Sequence, residues 1–100
     1  MDNSNNQIPS YKDEFKHSVD LFERSFQAYQ DSKMDNQKLV FKDVMDRASN
    51  VMEETAPKCL SASGQKKLQT LQEHYQAFLT NPNSQISQAI QNDINNLKNT

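Results

Sequence analysis

Apolar side chains recur along this chain at intervals of three and four, and no stretch alternates with period two for long enough to argue for a strand. Phe15, Val19, Phe22, Phe26 and Tyr29 follow one another at spacings of 4, 3, 4 and 3. At about 3.6 residues per turn they fall in a narrow stripe with the geometry of a coiled-coil seam, and Tyr11 extends it one turn upstream. Pro9-Ser10 opens this segment, where Ser10 and Asp13 resemble a capping box with Asp in place of Glu or Gln. Lys16–Asp20 and Asp20–Arg24 set opposite charges four residues apart on the wet side. A first helix is therefore predicted from Ser10 to about Asp31.

Asp31-Ser32-Lys33-Met34-Asp35 is a short break in which Ser32 or Asp35 can cap the next helix. The second predicted helix carries Phe41, Val44, Ala48 and Val51 at spacings of 3, 4 and 3, with Val40, Met45 and Met52 widening its apolar face. Asp43–Arg47 supports the outer side. Pro57 is expected to end it, because the residue before a proline avoids the helical region. Pro57 to Gly64 reads as the clearest loop, holding the single glycine and one of the three prolines. A third helix is expected from Ser61 or Ser63, with Leu68, Leu71, Tyr75 and Phe78 on one face and Leu79 adjacent. Thr80-Asn81-Pro82-Asn83-Ser84 stops it, and a last helix places Ile86, Ala89, Ile90, Ile94 and Leu97 on one arc. The fold class these segments imply is all-α: a small antiparallel bundle of about four helices over residues 10–100, in which the first two helices form a long hairpin and the third and fourth pack across it. Residues 1–9 read as a disordered polar tail, too poor in apolar surface to order itself.

Composition adds that the core must be thin. Hydrophobic residues make up 34% of the 100, below the ~45–50% of ordinary globular domains. Six of them are alanine, so 28 side chains are left to fill much volume. Asn and Gln together number 22, spread through the periodic segments and not gathered into one low-complexity tract. With 11 basic and 13 acidic side chains the net charge is −2, which excludes a protein that coats nucleic acid. The sign is uneven: residues 1–57 hold 7 basic and 11 acidic side chains, residues 58–100 hold 4 and 2. No apolar run approaches the ~18–20 residues of a membrane span.

Few side chains are suited to chemistry. Glu14-x-x-His17 has the spacing used for metal ligation in carboxylate-bridged bundles, but those sites need a second such motif and two further inward carboxylates, and His74 has Leu71 three residues before it. Cys59 is the only cysteine, which fits a reducing cytoplasm, and no base is placed beside it to make a nucleophile. No zinc-protease, Cys-x-x-Cys, nucleophile-elbow or phosphate-loop pattern occurs. No catalytic residue, metal ligand or cofactor is expected. Lys66-Lys67 is the main basic cluster, at the start of a helix where the dipole disfavours cations and with no aromatic run for stacking bases.

What remains is protein interaction without catalysis. The last helix is the odd one: nine of residues 81–100 are Asn or Gln, and only Asp93 and Lys98 are charged. Amides desolvate at lower cost than charges, so such a helix can lie against another protein. The expected partner-binding residues are Ile86, Ile90, Ile94 and Leu97 on that helix, with Phe41, Met45 and Met52 as an adaptable groove. The expected partner is another protein or a second copy of the chain and not a membrane, with nucleic acid disfavoured. The runner-up readings are a small helical nucleic-acid-binding regulator and a metal-dependent enzyme. The polar start Met1-Asp2-Asn3-Ser4-Asn5-Asn6-Gln7 is not a secretory signal peptide. It is similar in composition to the uncleaved addresses of type III secretion, so the expected location is the cytoplasm, with signal-peptide-independent export as the alternative. In size and helix layout the chain resembles the small helical accessory proteins of bacterial secretion systems: chaperones, needle-like subunits and helical-hairpin secreted proteins. It lacks the Trp-x-Gly turn of the last group. The resemblance implies a chaperone, accessory or small effector role.

Overall fold

Ser10 starts the first helix as its sequence suggests, accepting a hydrogen bond from the Asp13 N–H at 3.1 Å. The computed structural model describes residues 10–100. Within them are four α-helices and no strand: α1 (Tyr11–Asp31), α2 (Asp35–Cys59), α3 (Ala62–Thr80) and α4 (Ser84–Lys98). The tail expected over residues 1–9 lies outside the described residues. Ser61 caps α3 through the Gly64 N–H at 3.2 Å, and Asn83 caps α4 through the Ile86 N–H at 2.8 Å. Neither Ser32 nor Asp35 caps α2; its N-cap is Met34, which offers no side-chain hydrogen bond.

The expected loop from Pro57 to Gly64 contracts to Leu60 and Ser61. Pro57 lies inside the last turn of α2, where it forfeits only the bond to the Glu53 carbonyl, and the helix closes past it with the Leu60 N–H on the Ala56 carbonyl at 2.8 Å. Gly64 is not a turn residue but a buried position in the first turn of α3. A Cβ there would stand 2.8 Å from Thr100 Cγ2 and 3.1 Å from Leu60 Cβ, so glycine serves a close approach of chain segments.

The helices form a closed ring of neighbours: α1 against α2, α2 against α3, α3 against α4, and α4 back against α1. The α1–α2 pair is the most closely packed. Its seam explains why. Buried Ser18 and Ser25 on α1 are seven residues apart, and so are buried Ala48 and Thr55 on α2. Ser18 and Ala48 lie side by side where the two helices meet, and small side chains at such a point let the backbones approach. Thr55 turns its hydroxyl onto the Val51 carbonyl at 2.8 Å and so leaves no polar atom stranded in the seam.

The core is aromatic at its centre. Phe22 meets Tyr75 edge-on at 5.1 Å between ring centroids, and Phe26 meets Phe78 in the same manner at 5.2 Å, joining α1 to α3 across the bundle. Phe15 and Val19 extend this layer on α1, and Leu68 and Leu71 do so on α3. On α2 the buried arc is Met45, Ala48, Met52 and Ala56. This corrects the expected face: Val44 and Val51 are only half-buried and Val40 is exposed. They point away from the core by roughly 100°. The charged pairs Asp20–Arg24 and Asp43–Arg47 form at 3.0 and 3.1 Å on the surface.

Polar contacts tie the remaining neighbours. Tyr75 joins α3 to α2 through Asp46. His74 joins α3 to α4 through Asp93. Glu23 joins α1 to α4 through Gln91 and Lys98.

Candidate interaction surface

The sequence-predicted partner residues are mostly interior. Ile90 and Ile94 are 0% exposed, and Leu97, Met45 and Met52 are buried with them. Ile86 is half-buried against the core, and Phe41 is half-buried. The apolar stripe of α4 is therefore not a free surface of the folded chain. A thin bundle needs that helix to close its core, and the amide-rich remainder of α4 faces outward or bonds to neighbours, as Gln91 does with Glu23 at 2.8 Å.

The apolar surface that does face outward lies on the opposite side of the α1–α2 hairpin. Val40, Val44 and Val51 fall within about 40° of one another on the helix. Val44 and Val51 line a groove with Leu21, Ser18 and Ala48, enclosing 330 Å³. Val40 continues the same face and is 60% exposed. The small seam residues put α1 and α2 close enough that this groove has an almost wholly aliphatic floor. Its rim carries Glu14, His17 and Arg47. The hairpin thus has two apolar faces: α3 and α4 cover one, and nothing among the described residues covers the other. The signal was present in the sequence, since α2 has more apolar positions than one face of a helix can hold.

The groups that could do chemistry lie apart from one another. Glu14 and His17 sit on the groove rim, and no cluster of three metal-ligating side chains occurs among the described residues. Cys59 is half-buried with its thiol on the Thr55 carbonyl at 3.3 Å. Burial pushes that thiol above its ordinary range, and nearby Lys12 only partly offsets this, so the thiolate is scarce. Lys66 and Lys67 lie on the exposed side of α3 beside Glu73.

Two polar pairs are not announced by the periodic pattern. Asp93 is buried at 8% exposure on α4 and receives His74 Nδ1 at 2.5 Å. Its position was the available clue: three residues after Ile90 and four before Leu97, it occupies a core slot on the apolar arc. Tyr75 is buried and bonds to Asp46. Burial first, then the hydrogen bond to Asp46 and that residue's charge, raise its hydroxyl far above the usual phenol range. Neither pair has a nucleophile or a third ligand beside it among the contacts described.

No helix among the described residues is long and apolar enough to cross a membrane. No family model, no curated protein and no solved structure matches the chain.

Proposed function

We propose that this protein is a non-catalytic interaction module that receives an amphipathic helix of a partner protein along the outer groove of the α1–α2 hairpin. The carrying observation is the second apolar face, Leu21, Val44 and Val51 with exposed Val40, left uncovered on a closed bundle. Val44 and Val51 are seven residues apart, the repeat at which a third helix inserts its own apolar side chains between two others. The charges on the rim would then fix the partner's direction. A chaperone or accessory role of the kind seen in bacterial secretion systems is the form of interaction that the small four-helix layout supports.

The test is paired capture with the wild-type chain and a Val44→Ser/Val51→Ser variant, alongside light scattering of each. Both substitutions lie outside the core, so the variant should keep its helical circular dichroism. A protein retained by the wild type and lost by the variant supports the reading. Retention by both, or by neither, removes it. A dimer of the wild type that the variant abolishes would make the partner helix the chain's own.

A further inference from the structure

The two hairpin turns meet at one end of the bundle and leave an open cleft of 480 Å³ between them. Tyr29 and Gln30 of α1, Lys38 of α2, Phe78 of α3 and Ser84 and Ser87 of α4 line it. The interaction groove shares none of these residues. The Tyr29 and Phe78 rings stand edge to face at 5.8 Å and form an apolar wall. Lys38 supplies the charge. Its ammonium donates to the Tyr29 carbonyl at 2.9 Å and lies 4.6 Å from the centre of the Tyr29 ring.

That placement has a structural consequence and leaves something over. Tyr29 is in the last turn of α1, where carbonyls lack helical partners, and α1 has no basic residue of its own there. Lys38 fills that role from the next helix. One of its three N–H groups is used on the carbonyl. Among the described residues Lys38 is the half-buried lysine that no carboxylate reaches, whereas half-buried Lys42 is paired with Asp46. No carboxylate lines the cleft. A partly desolvated cation without a counter-charge, beside an aromatic wall, is matched by an anion that carries a flat apolar body.

We propose that the cleft between Tyr29, Lys38 and Phe78 binds small aromatic carboxylates, the carboxylate on Lys38 and the ring against Tyr29 and Phe78. Charge-assisted hydrogen bonds to Lys38 give the preference for an anion, and the two rings give the preference for a planar body.

Titration with benzoate, benzamide and acetate, followed by amide shifts in ¹H–¹⁵N spectra, tests this. Benzoate should move the amides of Lys38, Phe78 and Ser87 and bind about tenfold or more tightly than neutral benzamide, the factor expected for one charge-assisted hydrogen bond, and more tightly than acetate, which has the charge but no ring for Tyr29 and Phe78. Lys38→Gln should erase the difference between benzoate and benzamide, and Lys38→Arg should keep it. Circular dichroism shows whether each variant is folded. If Lys38→Gln does not fold, the comparison of the three compounds on the wild type decides alone. Equal binding of benzoate and benzamide, shifts centred elsewhere, or no shifts at tens of millimolar benzoate would overturn the proposal.

Discussion

Tyr75 donates its hydroxyl hydrogen bond to Asp46 Oδ1 at 2.7 Å, and Lys42 reaches the other oxygen of the same carboxylate at 2.8 Å. A buried phenol on α3 is thereby joined to a half-exposed ion pair on α2. Tyr75→Phe keeps the ring against Phe22 and removes only the donor. Because Asp46 can turn to water, the cost should be about 1–2 kcal/mol, read by urea denaturation at neutral pH. The hydroxyl's raised ionisation range also sets a sign. The folded chain keeps the proton while the unfolded chain releases it above about pH 10, so stability is full below that pH and is lost as pH rises through it. The wild type should lose more stability than Tyr75→Phe between pH 9 and 11.

Glu23 sets the acid limb. Burial pushes its carboxyl up, but the hydrogen bonds from Lys98 and Gln91 and the charge of Lys98 outweigh that and hold it below the usual range. A lowered carboxyl contributes stability that is present above the ordinary carboxylate range and is lost as pH falls through the folded value. Glu23→Gln should therefore be less stable than the wild type near neutrality. The gap should close on acidification, and equal slopes of stability against pH for the two proteins would contradict this.

His74 covers a carboxylate that is otherwise buried. His74→Ala strands Asp93 and should cost about 1–3 kcal/mol, whereas His74→Ala with Asp93→Leu should recover part of that loss. A double-mutant cycle in denaturant gives the coupling, and additive losses would show that the two side chains do not act together.

Ile94 and Val51 separate the two apolar faces. Ile94→Ala empties a fully buried site and should cost about 2–5 kcal/mol, a large share of the ~5–15 kcal/mol typical of a domain. Val51→Ala, on the outer groove, should cost under about 1 kcal/mol. Removing residues 84–100 should unfold the chain, because Ile90, Ile94 and Leu97 leave the core together.

Much of this architecture can be read from spacing alone. Phe15, Phe22 and Phe26 at 3.6-period intervals give α1 and its buried face, and Ser10, Ser61 and Asn83 mark three of the helix starts. The interaction surface is less legible because α2 is apolar on two arcs, and periodicity gives the larger valines and the smaller alanines equal standing. Which arc turns inward depends on what the other helices present to it, as Ser18 of α1 does beside Ala48, and that match is carried by neither helix alone. Pro57 misleads for a related reason. A proline disfavours helix at the residue before it, but tertiary contacts of Ala56 and Cys59 hold the last turn around it. The pair His74–Asp93 spans 19 residues and the cleft at Lys38 gathers all four helices, so no local pattern announces either.

The ring of neighbours also orders the assembly of the chain in time. Three of the four contacts around the ring join segments consecutive in sequence, and a short turn brings each pair together at small entropic cost. The fourth, α1 with α4, must close across nearly the whole chain: Gln91 and Lys98 reach Glu23 over separations of 68 and 75 residues. The tightly seamed α1–α2 hairpin should therefore be structured in the transition state, and the Glu23 contacts should form after it. Lys98→Ala would then speed unfolding and leave the refolding rate nearly unchanged, whereas Ala48→Gly, in the seam, would slow refolding.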